Sequence, residues 1–90
     1  MTKLEETQAG WKVQALGLTG WLTKSEYEEC DVTWRELAQN EQQMDDVWMM
    51  YVDVRWNRFG GDHDRAVVNA KRWLEMMTGR VTLEEFEAES

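Results

Sequence analysis

Proline is absent from this sequence, and cysteine and histidine each occur once. The single cysteine, Cys30, excludes a disulfide bond within one chain and a metal site built from several cysteines. With no proline and no serine- or glycine-rich tract, nothing in the sequence indicates a linker between domains. We therefore expect residues 1–90 to form a single small domain with one core.

Long apolar runs are missing as well. No run approaches the roughly 18 residues of a membrane-spanning helix, and the first residues lack the apolar stretch of a signal peptide. These absences predict a cytoplasmic protein with no membrane partner. The sequence is instead rich in aromatic and acidic residues, with six tryptophans and a formal net charge of −8. The aromatic content argues against a disordered chain.

The charges are unevenly distributed along the chain. Residues 1–54 carry four Lys or Arg and eleven Asp or Glu, whereas residues 55–80 carry six basic and three acidic residues. Residues 81–90 add four Glu. The acidic excess disfavours non-specific binding to nucleic acid, which depends on neutralising phosphates. It favours a basic partner surface, or it serves only solubility.

The densest apolar stretch of the sequence is Val47–Phe59. Thr33 and Glu36 have the spacing of a capping box, and no helix breaker follows until Gly60. This pattern predicts one long helix over residues 33–59. Its second half is apolar on two faces, which is typical of a buried helix. The stretch 48–56 also alternates between apolar and polar positions, so a strand remains an alternative there.

Residues before and after this stretch carry further helix signals. Capping-box spacings predict a helix over residues 3–16, a short helix over 23–30 and a terminal helix over 83–88. For the helix over 23–30, the capping box is either Thr23 with Glu26 or Ser25 with Glu28. Residues 11–16 also alternate, so a strand is the alternative to the first helix. Gly60 and Gly61 end the central helix, and Asp62 caps a helix over 63–78.

These elements predict an all-α fold. We expect a compact bundle of four to five helices around a long central helix, with the helix at 63–78 antiparallel to it. The alternative is an α+β fold with a small sheet that uses residues 11–16 and 48–56. We prefer helices because a sheet of two strands is only marginally stable.

Candidate catalytic and metal-binding residues are few. Cys30 could act as a nucleophile with His63 as its base, but the acids on both sides of Cys30 raise the thiol pKa and suppress the thiolate. Asp62, His63 and Asp64 contain metal-ligand types, yet three consecutive residues cannot all turn to one ion, and no second His or Cys completes a site. We therefore expect no catalytic residue, no metal ion and no cofactor.

A nucleic-acid-binding function is the alternative reading of the sequence. Two helices separated by Gly60–Gly61 imitate a helix-turn-helix, and Arg and Asn side chains can read base edges. The candidate residues are Arg65, Asn69, Lys71 and Arg72. The net charge of −8 weighs against this reading. The same cations could instead pair with acids of residues 26–46 or of the C-terminal segment.

The reading that we favour is a non-catalytic interaction protein, an inhibitor or adaptor whose acidic surface binds a basic surface of another protein. If that partner itself binds nucleic acid, the acidic surface would act as a nucleic-acid mimic. By analogy of class alone, small acidic chains without motifs are common among phage-encoded inhibitors. A homodimer is also left open.

Eight acids and two tryptophans are expected to form the partner-binding surface. They are Glu26, Glu28, Glu29, Asp31, Glu36, Glu41, Asp45 and Asp46, with Trp21 and Trp34 as exposed apolar anchors. The competing interpretation is that all six tryptophans belong to the core.

Overall fold

A computed structural model describes residues 3–7, 10–15 and 17–88 of the chain. Its described residues form a three-stranded antiparallel sheet followed by four helices. The strands are β1 (Lys3–Thr7), β2 (Gly10–Ala15) and β3 (Leu18–Leu22). The helices are α1 (Lys24–Arg35), α2 (Glu41–Asn57), α3 (His63–Met77) and α4 (Leu83–Ala88). The fold is therefore α+β, and the prediction of an all-α bundle is wrong.

The predicted first helix is replaced by a β-hairpin. β1 pairs with β2 so that Leu4 lies opposite Val13, and Glu5 lies opposite Lys12. This alternation places Val13 in the core and the two charged residues on the outer face of the sheet. The strand alternative for residues 11–16 is confirmed over 11–15, and residue 16 lies outside the described part of the chain. The strand alternative for residues 48–56 is wrong, because these residues belong to α2.

β3 completes the sheet and brings it against α2. It pairs with β2 on the side away from β1, so the strand order is β1-β2-β3. Gly20 lies in the middle of β3 and is buried, and the ring of Trp56 occupies the space where a side chain would stand. A glycine is therefore required here for close packing between the sheet and the helix.

Replacing Gly20 by alanine should lower the free energy of unfolding by about 1–3 kcal/mol. The added Cβ would lie 2.7 Å from Cζ3 of Trp56, so the ring or the strand must shift. In a Trp56→Leu background, where the clash is removed, the same substitution should cost only a few tenths of a kcal/mol. Urea unfolding of the four proteins measures the difference. An equal cost in both backgrounds would mean that the Trp56 contact is not the cause.

The single helix predicted over residues 33–59 is wrong, because residues 33–35 are the end of α1 and α2 begins only at Glu41. α1 begins at Thr23, whose side chain accepts a hydrogen bond from Glu26 N while the Glu26 carboxylate accepts from Thr23 N. The predicted capping residue Thr33 instead lies inside α1. The chain leaves the helix after Arg35, and Asn40 starts α2 by accepting a hydrogen bond from Gln43 N. Asparagine is a strong N-cap, so the helix restarts there without any glycine or proline.

α2 is the central buried element, as the apolar stretch Val47–Phe59 predicted. It packs against the sheet, α1 and α3. Aromatic rings join these elements: Trp48 contacts Trp34 of α1 edge-to-face at 4.8 Å, and Tyr27 of α1 stacks between Trp48 and Trp11 of the sheet. The core is thus built around the aromatic residues of α1 and α2.

The second half of the chain follows the sequence prediction closely. Gly60 and Gly61 adopt φ values of 62° and 94°, which are left-handed conformations that glycine adopts without strain. Asp62 then caps α3 by accepting a hydrogen bond from Arg65 N. Thr82 and Glu85 form the predicted capping box of α4. Among the described helices, none is both long enough and apolar enough to cross a membrane.

Candidate interaction surfaces

The solvent side of α1 forms an acidic face made of Glu28, Glu29, Val32 and Glu36. The helical period places residues 28, 32 and 36 in one row, and all four side chains are exposed. Val32 is 61% exposed at the centre of this row. In the part of the chain that the structure describes, neither Glu28 nor Glu36 has an ion-pair partner. The acidic face therefore combines an apolar centre with uncompensated negative charge.

Other acids of the predicted set surround a cation at the start of α2. Arg35 donates to Asp31 at 3.0 Å and to Glu41 at 3.1 Å. These hydrogen bonds raise the pKa of the Arg35 guanidinium above its ordinary value. Asp31, Arg35 and Glu41 line a small pocket, and Asp45 also lines it. The charge of Arg35 offsets part of the negative charge here, so this region is less acidic than the face of α1.

Asp46 lies in a different place from the other predicted acids. It lines an open, mainly apolar groove on α2 and α3 together with Met49, Met50, Asp53 and Trp73. Asp45 instead lines the pocket beside Arg35 and Glu41, so the two neighbouring acids of α2 open onto different parts of the surface. The eight predicted acids therefore do not form one continuous surface.

Glu26 points into the protein and does not belong to the acidic face. Its carboxylate accepts hydrogen bonds from Arg55 of α2, with Nη2 3.2 Å from Oε2, and from the backbone of Thr23. Burial acts to raise the pKa of this carboxyl, but the Thr23 hydrogen bond and the charge of Arg55 outweigh it, so the pKa lies below its ordinary value of 4.5. Glu26 thus holds α1 on α2, and its predicted role in partner binding is not supported by its position.

Arg55 is also part of a polar junction that joins three helices, formed by Glu26, Glu29, Tyr51, Arg55 and His63. Arg55 Nη1 donates to the Tyr51 hydroxyl oxygen at 2.6 Å. That hydroxyl lies 2.8 Å from His63 Nδ1, and His63 Nε2 lies 3.0 Å from Glu29 Oε1. The junction therefore links α1, α2 and the start of α3, and of its five side chains all but Glu29 have little exposure.

Sequence reasoning missed this junction. Arg55 falls on the buried stripe of α2, four residues after Tyr51, and that placement was the available signal. A buried arginine requires a partner for its charge. The partner, Glu26, lies 29 residues away in the sequence, so neither spacing nor periodicity could identify it.

Cys30 lies in the core beside the polar junction. Burial, and then the charge of Glu29, raise the pKa of its thiol far above the ordinary value. The sequence predicted this direction from the acidic neighbours alone, although burial contributes more. A thiol with such a raised pKa stays protonated at neutral pH and is therefore a poor nucleophile.

The two tryptophans predicted as exposed anchors differ sharply in their solvent exposure. Trp21 is 47% exposed on the outer face of the sheet, opposite Lys12. Trp34 is fully buried, with its ring 4.8 Å from Trp48 and 5.4 Å from Tyr51. The expectation that Trp34 is exposed is wrong, because its position in α1 faces α2. The alternative that all six tryptophans are core residues is also wrong, because Trp21 and Trp56 are exposed.

The residues of the nucleic-acid alternative are only partly brought together. Arg65, Asn69 and Arg72 line a groove of about 430 Å³ on α3, together with Phe59, Asp64, Val68 and Phe86. Lys71 is not among the lining residues. Arg65 lies 3.6 Å from Asp62, and Arg72 lies 3.1 Å from Glu75. Each of these two cations has an acid of its own helix or its cap close by, which offsets part of the basic charge of the groove.

No protein-family model, curated protein sequence or solved structure matches this chain.

Proposed function

We propose that this protein is a non-catalytic acidic interaction module whose α1 face binds a basic surface of a partner protein. The observation that carries the proposal is Val32, 61% exposed between Glu28 and Glu36. An apolar centre with a charged rim is the usual arrangement of a protein interface, in which the centre supplies most of the affinity. The rim charges steer the approach of an oppositely charged partner and exclude other partners.

The way in which α1 is held supports the same proposal. The capping box at Thr23 fixes its start, Cys30 and Trp34 bury its inner side, and Glu26 and Glu29 tie it to α2 and α3. A face that is already ordered loses little conformational entropy when it binds. A preformed surface of this kind suits an inhibitor or adaptor. The cytoplasmic location expected from the sequence remains a prediction.

Reversing the charge of the acidic face should abolish partner binding without unfolding the protein. In the variant Glu28→Lys/Glu36→Lys, the affinity should fall by at least about tenfold, because like charges placed across an interface repel. The matched control is Glu84→Lys/Glu87→Lys on α4, which makes the same change in net charge at exposed positions away from α1. A third variant, Val32→Ser, removes the apolar centre without changing the charge and should also weaken binding.

The measurement has two stages. Partners are captured on the immobilised wild-type chain from a lysate of its native cell, with and without nuclease, and identified by mass spectrometry. Each purified partner is then titrated calorimetrically with the wild type and the three variants. Equal losses in the two charge-reversal variants would show that only net charge matters. Capture that disappears with nuclease would favour the nucleic-acid alternative, and unchanged binding by both α1 variants would overturn the proposal.

A further inference from the structure

Three potential metal-ligating side chains meet where α1 packs beside the start of α3. Glu29 comes from α1, and His63 and Asp64 come from the first turn of α3. One ligand atom from each residue lies within 4.8 Å of the other two. The sequence had suggested only the consecutive residues 62–64, which cannot all face one ion. The fold replaces Asp62 by Glu29, which lies 34 residues before His63 in the chain.

We propose that Glu29, His63 and Asp64 form a binding site for a divalent transition-metal ion of the Zn²⁺ class. One imidazole nitrogen and two carboxylate oxygens supply three protein ligands, and water completes a tetrahedron. Imidazole favours Zn²⁺ and its neighbours, whereas Mg²⁺ and Ca²⁺ prefer oxygen ligands only. This site shares Glu29 with the acidic face, but it does not rest on the proposed function, because neither Glu28 nor Glu36 is a ligand.

The orientation of His63 is what distinguishes this group from an ordinary acidic patch. Its side chain is only 10% exposed, and its Nδ1 is held 2.8 Å from the Tyr51 hydroxyl. Tyr51 is in turn held by Arg55 at 2.6 Å. The ring is therefore fixed with Nε2 directed toward Glu29. A metal-binding histidine typically has its other nitrogen hydrogen-bonded in this way, which sets both its tautomer and its direction.

The hydrogen bonds of the polar junction can accommodate the metal-bound tautomer. Arg55 can only donate, so the Tyr51 oxygen accepts from it in either state. Without metal, Tyr51 O–H donates to Nδ1, and Nε2–H donates to Glu29. With metal on Nε2, the imidazole proton resides on Nδ1 and donates to the Tyr51 oxygen. The Tyr51 proton then turns away from the imidazole, toward the neighbouring Cys30 thiol.

The charges around the site favour a cation. The start of α3 carries about half a positive charge from the helix dipole, and Arg55 adds one more. Against these stand the carboxylates of Glu29 and Asp64, and that of Glu26, whose Oε2 lies 3.9 Å from His63 Nδ1. Three negative charges exceed the positive charges that oppose binding. The balance is therefore negative before a metal ion arrives.

Titration of the full chain with Zn²⁺ tests this inference. His63 is the only histidine, so the imidazole nitrogen resonances in an NMR spectrum report on this residue alone. At about pH 7.5, Zn²⁺ should shift the Nε2 resonance and saturate at one ion per chain. Calorimetry on the same samples gives the affinity.

Matched variants decide whether the ligands are those proposed. Glu29→Gln and Asp64→Asn should each weaken Zn²⁺ binding by at least about tenfold, whereas Glu28→Gln, one residue before Glu29, should change it by about twofold or less. Glutamine keeps an oxygen that accepts from His63, so the fold should persist, and circular dichroism checks it. The proposal is overturned if the imidazole resonances do not move, if Glu28→Gln loses as much as Glu29→Gln, or if Mg²⁺ binds as tightly as Zn²⁺.

Discussion

Replacing Trp34 by alanine should lower the free energy of unfolding by about 3–5 kcal/mol, whereas the same change at Trp21 should cost about 1 kcal/mol or less. The indole of Trp34 is fully buried between Trp48 and Tyr51, so its removal leaves a large cavity in the aromatic part of the core. Trp21 is 47% exposed on the outer face of the sheet, and water can fill the space that it leaves.

Urea unfolding followed by far-ultraviolet circular dichroism measures both values without relying on tryptophan fluorescence. A Trp34→Phe variant should fall between the wild type and Trp34→Ala. Within the described residues, Trp34 Nε1 has no hydrogen-bond partner, so phenylalanine forfeits packing but no hydrogen bond. A Trp21→Ala variant as unstable as Trp34→Ala would contradict this description of the core.

Replacing Arg55 by methionine should cost about 3–5 kcal/mol, because it leaves the charge of Glu26 without its partner in a partly buried place. The substitution also removes the hydrogen bonds that Arg55 donates to the Tyr51 hydroxyl and to the carbonyl of Gly61. Methionine keeps most of the apolar stem of arginine, so the loss of stability measures the contribution of the guanidinium group. Lys71→Ala, at an exposed position of α3, is the control and should change stability by about 0.5 kcal/mol or less.

The dependence of stability on pH gives a second readout for Arg55. The pKa of Glu26 is lower in the folded protein than its ordinary value of 4.5. Its ion pair therefore contributes stability above pH 4.5, and this contribution disappears as the pH falls through the lower, folded-state pKa. In Arg55→Met, the stability should depend less on pH in this acidic range. The double variant Glu26→Gln/Arg55→Met should recover part of the stability that Arg55→Met loses. A cost no greater than that of Lys71→Ala would exclude this role for Arg55.

Helix starts were the most predictable part of the fold because they depend on contacts within one turn. Thr23, Asp62 and Thr82 each accept the hydrogen bond that their local sequence predicts. The same reasoning failed at Thr33, because Thr33 lies in the last turn of α1 and Glu36 follows directly after that helix. A capping-box spacing shows that a helix can start at a residue, and only the preceding backbone decides whether it does.

The sheet was harder to predict because its strands depend on one another. β1 has the sequence Lys-Leu-Glu-Glu-Thr, which contains good helix formers, and it becomes a strand by pairing with β2. Glycine is disfavoured in strands, yet Gly20 is needed in β3 because Trp56 packs against it from 36 residues further along the chain. Tertiary contacts of this kind override local propensity.

The chemistry of the acidic face could be predicted from the sequence, whereas the arrangement of its residues in space could not. Acidic residue types on α1 could be recognised in the sequence, and three of them do share an exposed face. The separation of Asp46 from Asp45, and the inward turn of Glu26, follow from helix boundaries and from a partner that lies 29 residues away. One sequence does not reveal which distant side chains meet.

The strand order β1-β2-β3 has a consequence for how the chain folds. Each strand pairs with its neighbour in sequence, so the whole sheet forms through short hairpin closures that cost little loop entropy. Chains dominated by such local contacts fold faster than those whose strands pair over long distances. The slow step then falls to the distant contacts, in which Glu26 meets Arg55 and Glu29 meets His63. The joining of α1 to the later helices, and not the formation of the sheet, is thus expected to limit the folding rate.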